Sequence, residues 1–359
     1  MSNPQIILEK LGEVLDRDLT SIEIIPGDWS HWASTAASPE PTPSSSFPFL
    51  LVEGNLGVPH KVAHRLYIDA ANFPRREEAC AWDEAEVSTV LQKTAIILIV
   101  NPAHQTALNT RKTLINQRRY AADKELRFAE LLLRGIKACA KESALWTHRR
   151  WCLHYIHGPI SDHTDTAHTP SLAQSPLAPF LPPEAVPCEF ATVKEAVTIY
   201  PRSYHAWAHW RYVFDLSCAL IASTSAPIEE RQAYSKVVVE EFRGLRKWIE
   251  THTTDTSAVH HLVTSLPSLW GLTSSNSVSS DARESMATES SPSKLAKEAW
   301  CLLSAFQPHR ETNWIYLRSL LVFLPAEERR VYSERMSNLD VPWAKIGRTY
   351  DHIMPPLNN

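Results

Sequence analysis

The amino-acid sequence predicts an all-α protein, a right-handed α-solenoid of about five helical hairpins. Two observations lead to this prediction. A tryptophan-centred segment recurs along the chain, and a stretch that can form a partner helix precedes each copy. Only 9 of the 359 residues are glycine, which disfavours a Gly-rich phosphate loop or a dinucleotide fold. A helical hairpin cannot bury its apolar face alone, so it has to stack on its neighbours, which produces a solenoid.

The recurring segment has a polar start, a tryptophan, a His or Tyr two residues later, an arginine three or four residues later, and an apolar tail. It is clearest around Trp146 (ESALWTHRRWCL), Trp207 (RSYHAWAHWRYVF) and Trp314 (RETNWIYLRSLL). Leu108 and Val259 take the tryptophan position in two further copies, NPAHQTALNTRKTLI and DTSAVHHLVTSL. Residues three and four apart share one face of a helix. We therefore expect each segment to be the second helix of a hairpin.

A partner helix is predicted before each copy. In the third partner, FATVKEAVTIY, the apolar residues Phe190, Val193, Val197 and Tyr200 follow helical spacing. The five predicted partner helices cover approximately 84–100, 123–140, 189–200, 230–252 and 294–307.

Polar insertions interrupt the repeat. Segment 158–188 is rich in Pro, Ser and Thr, and segment 271–293 is a polar low-complexity stretch. We predict that both are disordered, together with loop 33–48. The predicted organisation is an N-terminal extension (1–80), helical-hairpin repeats (81–325), and a C-terminal helical cap and tail (326–359).

The composition excludes several classes of function. The 36 basic and 40 acidic residues give a net charge of -4, so there is no basic excess to bind nucleic acid. The six cysteines are scattered without a C-x-x-C pair, which indicates buried thiols in a reducing cytosol. The longest apolar run, Ala95 to Val100, is too short to cross a bilayer, and acidic residues interrupt the N-terminal stretch. We expect a cytoplasmic protein without a membrane span.

The sequence carries no complete active site. It contains no GxGxxG, GxxxxGK[ST] or GxSxG motif. A catalytic zinc needs three side-chain ligands and an open position. We interpret the available histidine pairs as surface or packing residues: His60 with His64, His154 with His157, and His260 with His261. No metal or cofactor is therefore expected in this chain.

The large side chains of the repeated segments are predicted to hold neighbouring hairpins together. Trp146 and Trp151 would fill the space between stacked hairpins. The arginines would bridge to carboxylates or carbonyl groups of the adjacent repeat, using a planar fork that lysine lacks. The predicted packing residues are Arg111, Trp146, Arg149, Arg150, Trp151, Trp210, Trp314 and Arg318.

The W-x-H-R-R-W form at Trp146 and the S-Y-H-A-W-x-H run at Ser203 resemble the repeats of the protein prenyltransferase α-subunit family. The resemblance covers approximately 84–325. In that family, the α subunit is a crescent of helical hairpins around an α/α-barrel β subunit, which holds the catalytic zinc and the isoprenoid pocket. The resemblance implies that this chain is the non-catalytic half of a heterodimer, with zinc on the β subunit.

The N-terminal extension and the interrupted repeats look most like the divergent α-subunit repeat-containing proteins. This closer resemblance implies a Rab-type β subunit as the partner. It also implies transfer of a geranylgeranyl group to proteins, with a farnesyl group as the other option.

One run of the family's repeat, usually K-N-Y-H-x-W, approaches the diphosphate of the isoprenoid donor through its lysine and tyrosine. Here Tyr204, His205 and Trp207 match the run. Arg202 replaces the lysine and Ser203 replaces the asparagine.

The resemblance implies that Arg202 and Tyr204 contact the diphosphate. Arginine can grip phosphate oxygens with two donors, although its planar head sits differently from an ammonium group. A purely structural helix start after Pro201 is the alternative for Arg202. The resemblance extends a binding role to His205, Trp207 and His209.

A second function is consistent with the same sequence. Helical solenoids are general binding surfaces, and a fold does not establish an activity. The weaker copies and the arginine at position 202 favour a protein-interaction scaffold without prenyltransferase activity, whereas the intact SYHAW run favours the prenyltransferase subunit.

Overall fold

The structure is a computed structural model that describes residues 3–27, 46–73, 81–158, 180–223, 226–274, 278–306 and 310–339. The chain divides into two compact units. The first contains Met1–Leu181 and Ala191–His209, and the second contains Pro182–Phe190 and Trp210–Asn359.

In its described residues, the first unit contains helices and one small sheet. Its helices are α1 (Pro4–Leu15), α2 (His60–Ala70), α3 (Glu84–Val100), α4 (Gln105–Asn116), α5 (Ala122–Gly135), α6 (Lys137–Lys141) and α7 (Ser143–His157), followed by parts of α8 (Val186–Ile199) and α9 (Tyr204–Ala222). Helix α3 packs on α4, and α5 packs on α7. These two pairs are the first two predicted hairpins.

In the described residues of the second unit, every secondary-structure element is a helix. Besides the remaining parts of α8 and α9, it contains α10 (Ile228–Thr251), α11 (Thr256–Thr273), α12 (Ser280–Glu289), α13 (Pro292–Cys301), a π-helical turn (Leu302–Phe306), α14 (Glu311–Leu321) and α15 (Ala326–Ser337). Helix α10 packs on α11, and α13 packs on α14. The second helices α4, α7, α9, α11 and α14 carry Leu108, Trp146, Trp207, Val259 and Trp314, respectively. The prediction of an all-α helical-repeat fold is confirmed.

Side-chain caps determine where several hairpin helices begin. Asp83 and Glu86 form a capping box at the start of α3, because each side chain accepts a hydrogen bond from the other residue's backbone N–H, at 2.8 and 2.7 Å. Asp255 caps α11 through the N–H of Ala258 at 3.1 Å. Asp255 is the polar start of the copy DTSAVHHLVTSL, whereas the capping box of α3 was not predicted.

The apolar run Ala95–Ile99 lies near the C-terminal end of α3, and all five residues are buried. Helix α3 packs against α1 and α2 as well as against α4. A helix that is apolar on every side has to be covered on every side. The two N-terminal helices therefore complete the core of the first hairpin.

A three-stranded sheet in the N-terminal region was not predicted. Its strands are β1 (Ser21–Ile25), β2 (Leu50–Val52) and β3 (Asn55–Pro59), in the order β1-β3-β2. Strand β1 pairs with β3 in parallel, and β2 pairs with β3 antiparallel. Glu53 and Gly54 join β2 to β3 with positive φ angles of 49° and 80°, as a tight hairpin turn requires. Strands of three to five residues are too short for periodicity to reveal them.

Strand β1 of the sheet packs closely against helix α5 of the repeats at Gly135. Strand β1 packs on α5, and a Cβ atom at Gly135, the last residue of α5, would overlap the carbonyl oxygen of Ile22. Because the obstacle is backbone, it cannot move aside cheaply. Gly135 therefore allows the close approach of β1 to α5.

The prediction that 271–293 is disordered is wrong for Ser280–Glu289, which forms α12. Ser279 caps this helix, and Met286 is completely buried. Helix α12 packs on both α10 and α11. One buried methionine in a serine-rich stretch is a weak pattern, and the low-complexity composition concealed it.

The other predicted disordered segments lie partly outside the described residues, as 159–179 and 33–45 do. At the described ends of these segments, Leu181 and Ser46 are buried, and α8 already begins at Val186. Of the predicted cap and tail, 326–337 forms α15, whereas 340–359 lies outside the described residues. In the part of the chain that the structure describes, no helix is both long and apolar enough to span a bilayer.

Candidate functional site

The predicted diphosphate-contacting residues lie on the turn between α8 and α9. Ser203 anchors this turn, because its buried hydroxyl donates to the carbonyl oxygen of Ala140 at 3.2 Å and accepts from the N–H of Ala206 at 3.3 Å. Arg202 precedes it with a φ angle of 63°, in the left-handed region that costs a non-glycine residue about 1 kcal/mol or more. The exposed Arg202 therefore projects from a turn that hydrogen bonds hold in place.

Tyr204 begins α9 and is the most exposed aromatic residue of this turn, with 61% of its surface accessible. His205 is half-buried beside it, and the two rings meet edge to face with centroids 5.7 Å apart. Arg202, Tyr204 and His205 thus form the solvent-facing part of the predicted site.

Trp207 and His209 are buried, with 1% and 0% of their surface accessible. The His209 ring lies 5.1 Å from the ring of Trp146, and the Nε of Arg150 donates to His209 Nδ1 at 3.4 Å. These contacts tie α9 to α7. A binding role for Trp207 and His209 stays a prediction. Because both side chains are buried, they would affect ligand binding only by stabilising the conformation of the turn.

A charged network that sequence reasoning did not assemble lies in the core of the first unit. The buried guanidinium of Arg111 pairs with Glu125 on α5, with Nη2 and Oε2 2.7 Å apart. The second Glu125 oxygen lies 2.6 Å from Nε2 of His148 on α7. Arg111 Nη1 also donates to the carbonyl oxygen of Leu91 and to the hydroxyl of Thr94, both at 3.0 Å. Four helices, α3, α4, α5 and α7, therefore meet at one carboxylate and one guanidinium.

Glu125 is ionised in this core. Burial by itself raises the pKa of Glu125, but the charge of Arg111 and the hydrogen bond with His148 outweigh it and hold that pKa at about 2, below the ordinary 4.5. Burial likewise raises the pKa of Tyr120, whose hydroxyl lies 3.4 Å from Arg111, to about 12. The general idea that repeat arginines bridge to carboxylates agrees with this geometry, but the histidine partner was missed.

A recurring polar position in the repeat could have revealed His148 as a partner of Glu125. This position lies two residues after the tryptophan of each copy, or after the residue that replaces it. It is polar and buried in every copy. Its occupants are Thr110, His148, His209, His261 and Tyr316. Buried polar groups need partners inside the protein, so this recurring position indicates where the polar networks of the repeat lie.

The remaining predicted packing residues differ in depth. Arg149 is buried and donates to the carbonyl oxygen of Leu126 at 2.9 Å. Trp151 is half-buried and stacks on Tyr155, with 5.4 Å between the two ring centroids. The Nζ of Lys112 lies 5.2 Å from the ring centroid of Trp151.

In the second unit, the predicted packing tryptophans are both buried. Trp314 lies under the guanidinium of Arg318, whose central carbon is 5.2 Å from the ring centroid. Trp210 donates from Nε1 to Glu241 at 3.3 Å. In both cases, the aromatic ring lies in the core and a charged group meets it.

An open groove of about 520 Å³ lies near the start of α5, away from the predicted turn. Its polar groups already have protein partners at two points. The Tyr155 hydroxyl donates to the carbonyl oxygen of Ile115 at 3.0 Å, and Arg119 pairs with Glu84 at 3.2 Å. None of the predicted site residues borders this groove.

Within the described ranges, no group of three or more His, Cys, Asp or Glu side chains is arranged to hold a metal ion. The prediction of buried thiols is correct for Cys139, Cys152 and Cys218, whose pKa burial raises. It is wrong for Cys188 and Cys301, which are exposed. Cys80 lies outside the described residues.

Hairpins with a tryptophan-centred second helix define this chain as an α-helical repeat protein. Residues 186–217 match the family model described as the protein prenyltransferase alpha subunit repeat. The matched segment contains the whole turn with Arg202 and Tyr204. The resemblance expected from the sequence is confirmed.

Similar proteins are known in several vertebrates. The chain is 26% identical over 225 residues to protein prenyltransferase alpha subunit repeat-containing protein 1-B of Xenopus laevis. The aligned region covers 62% of this chain and 47% of that protein. The chain is also 26% identical over 222 residues to protein prenyltransferase alpha subunit repeat-containing protein 1 of Homo sapiens, covering 60% and 48% of the two chains. The match thus spans about half the length of these relatives.

Proposed function

We propose that this chain is the non-catalytic α-type subunit of a heterodimeric protein prenyltransferase. The enzyme would transfer a geranylgeranyl group, or a farnesyl group, from its diphosphate to C-terminal cysteines of proteins. One observation carries the proposal: within the matched repeat, Arg202 and Tyr204 are exposed on a turn that Ser203 anchors to the preceding hairpin.

The chemistry explains why a fixed cation is useful there. When a cysteine thiolate displaces the diphosphate, negative charge builds on the leaving oxygens, and a preorganised donor stabilises it. Arg202 can supply two N–H groups and a permanent charge, and the Tyr204 hydroxyl can donate a further hydrogen bond. The β subunit would supply the zinc that activates the thiol and the pocket for the isoprenoid.

A cytoplasmic location belongs to the same proposal. The five described cysteines are all free thiols, and two of them are exposed. Free exposed thiols suit a reducing compartment, where disulfides are rare.

The first test is co-expression with a Rab-type prenyltransferase β subunit, followed by affinity purification through a tag on this chain. We expect a complex with equal amounts of the two chains, and geranylgeranyl transfer to a protein that ends in cysteine. A chain that purifies without the β subunit under these conditions would refute the proposal.

The second test asks whether Arg202 contributes to transfer. We expect Arg202→Ala to reduce kcat about 100-fold, the loss typical of one removed transition-state donor. Arg118→Ala is the matched control, because Arg118 is also exposed and also has a left-handed backbone, with φ of 59°. A similar loss in both variants would mean that backbone conformation, and not the guanidinium, causes the effect.

A protein-interaction scaffold without enzymatic activity is the second candidate function. Leu108 and Val259 replace the tryptophan in two copies of the repeat, and Arg202 stands where the family's run has lysine, which favours this candidate. Mass spectrometry of proteins captured by the tagged chain separates the two functions. Partners other than a prenyltransferase β subunit, present at equal amounts, would support the scaffold.

A further inference from the structure

The polar insertion between α11 and α13 carries a sequence feature that neither the repeat nor the proposed function uses. Residues 291–294 read Ser-Pro-Ser-Lys. The chain contains five Ser-Pro or Thr-Pro pairs, and this one alone has a basic residue at the third position after the hydroxyl residue. A proline directly after the hydroxyl residue, followed two residues later by a lysine, is the pattern that proline-directed serine/threonine kinases recognise in their substrates. The sequence therefore indicates a phosphoacceptor at Ser291.

The structure places Ser291 at the junction between α12 and α13, with a hydroxyl that is available for reaction. Ser291 is half-buried and caps α13. Its hydroxyl accepts from the backbone N–H of Lys294 at 3.5 Å and donates to no acceptor among the described residues. The neighbouring Ser290 is completely buried, and its hydroxyl donates to the carbonyl oxygen of Met286 at 2.7 Å. Of the two adjacent serines, Ser291 is therefore the one that can react.

Helix α12, which precedes this junction, is attached to the second unit by little apolar surface. Met286 is the one buried residue of this helix. Segments with few buried apolar contacts open locally at a low free-energy cost. A kinase binds several residues around its phosphoacceptor in an extended conformation. Local opening of α12 supplies such a segment while the repeat hairpins stay folded.

Three cations meet beside the capping serine and give its surroundings a net positive charge. All three pair with the carboxylate of Glu289, two residues before the serine; they are Arg243 and Arg246 on α10 and Lys294 on α13. The second carboxylate of this cluster belongs to Glu298, which pairs with Arg246. The Nζ of Lys294 lies 3.4 Å from Glu289, and 38% of the lysine side chain is exposed. Lys294 can therefore turn towards a second anion.

We propose that Ser291 is a phosphorylation site and that its phosphate stabilises the junction between α12 and α13. A proline-directed serine/threonine kinase transfers the γ-phosphoryl group of ATP to Ser291 Oγ. The new O–P bond forms as the bond to the departing ADP oxygen breaks, and the hydroxyl proton passes to solvent. The phosphate carries a charge of about -1.5 to -2 at neutral pH and accepts hydrogen bonds from the backbone N–H and the Nζ of Lys294. The inference does not rest on the proposed function, because Ser291 lies outside the matched repeat.

The test incubates the full chain with ATP and a kinase of the cyclin-dependent class. Trypsin then releases peptide 284–294, because it cleaves after Arg283 and Lys294, and tandem mass spectrometry locates the phosphate within this peptide. We expect one phosphoryl group on Ser291, and complete loss of phosphate from this peptide in Ser291→Ala. Ser293→Ala is the matched control, because Ser293 is also half-buried but no proline follows it. This variant should be phosphorylated as the wild type is.

Two lysine variants test the recognition by the kinase. Lys294→Ala should slow modification of Ser291 at least about tenfold, as expected for the loss of one hydrogen bond to a charged group. Lys297→Ala removes an exposed lysine from the same helix and should leave the rate unchanged. Thermal unfolding measures the effect of the phosphate on the fold. We expect phosphorylation to raise the melting temperature by about 2–4 °C, as one added charge-assisted interaction does in a unit of this size.

Three outcomes would overturn the proposal. One is a folded chain that receives no phosphate on Ser291 while a synthetic peptide of residues 284–298 does, which would mean that the fold closes the site. Another is an equal rate of modification in Lys294→Ala and Lys297→Ala. The third is a phosphorylated chain that melts at a lower temperature than the unmodified one. No β subunit is present in any of these experiments, so their results leave the proposed function untouched.

Discussion

The buried network of Arg111, Glu125 and His148 makes a quantitative prediction about stability. Glutamine at position 125 keeps the volume of the side chain but removes its charge, and it leaves the Arg111 guanidinium buried without a counter-ion. The folded-state pKa of Glu125 is about 2 and its ordinary value is 4.5. At about 1.4 kcal/mol per pH unit, this difference corresponds to about 3 kcal/mol at neutral pH. Breaking a buried pair typically costs about 3–5 kcal/mol, in agreement.

The pH dependence of this contribution has a definite sign. Because folding lowers the pKa of Glu125, its contribution is fully present above pH 4.5 and is lost as the pH falls from 4.5 towards 2. Glu125→Gln should therefore be less stable than wild type at pH 7 by about 3 kcal/mol. The difference should shrink as the pH falls below 4.5.

The assay is urea unfolding of both proteins, followed by circular dichroism and tryptophan fluorescence at several pH values. A double-mutant cycle with Arg111→Met isolates the pair, and the double variant should lose less than the sum of the two single variants. Glu84→Gln is the control, because that carboxylate is 87% exposed and its pair with Arg119 should contribute about 1 kcal/mol or less.

Two results would refute the reasoning. One is a loss of less than about 1 kcal/mol in Glu125→Gln, the size expected of a surface pair. The other is strict additivity in the cycle with Arg111→Met, which would mean that the two side chains do not stabilise each other.

Two further predictions concern a close contact and a buried histidine. Gly135→Ala should destabilise the first unit by about 1–3 kcal/mol, because the new methyl group would overpack the contact with Ile22. The same substitution should speed amide hydrogen exchange in β1. Gly271→Ala is the control: its Cβ position has open space around it, so it should stabilise α11 by about 0.5–1 kcal/mol. Equal effects of the two substitutions on unfolding would contradict the overlap with Ile22. Burial lowers the pKa of His261 from 6.5 to about 4, so stability of the second unit should fall as the pH drops from 6.5 towards 4. Chemical unfolding of His261→Leu over this range checks the assignment, and an unchanged pH dependence would contradict it.

The sequence by itself determined the repeat. Trp146, Trp207 and Trp314 each lie in the second helix of a hairpin, as predicted, because helical periodicity and capping residues act between neighbours in the chain. The same local signals are weak in the short strands and in Ser280–Glu289, which were not recognised for that reason.

Only the tertiary structure decided which side chains meet. Nothing local brings Glu125 to Arg111 and His148, because the three residues lie on three different helices that meet only when the hairpins stack. Likewise, the matched run contains Ser203, but only the folded chain shows that its hydroxyl donates to the carbonyl oxygen of Ala140 on α6. Local periodicity comes from neighbours in the chain, whereas the pairing of charges depends on how distant helices pack.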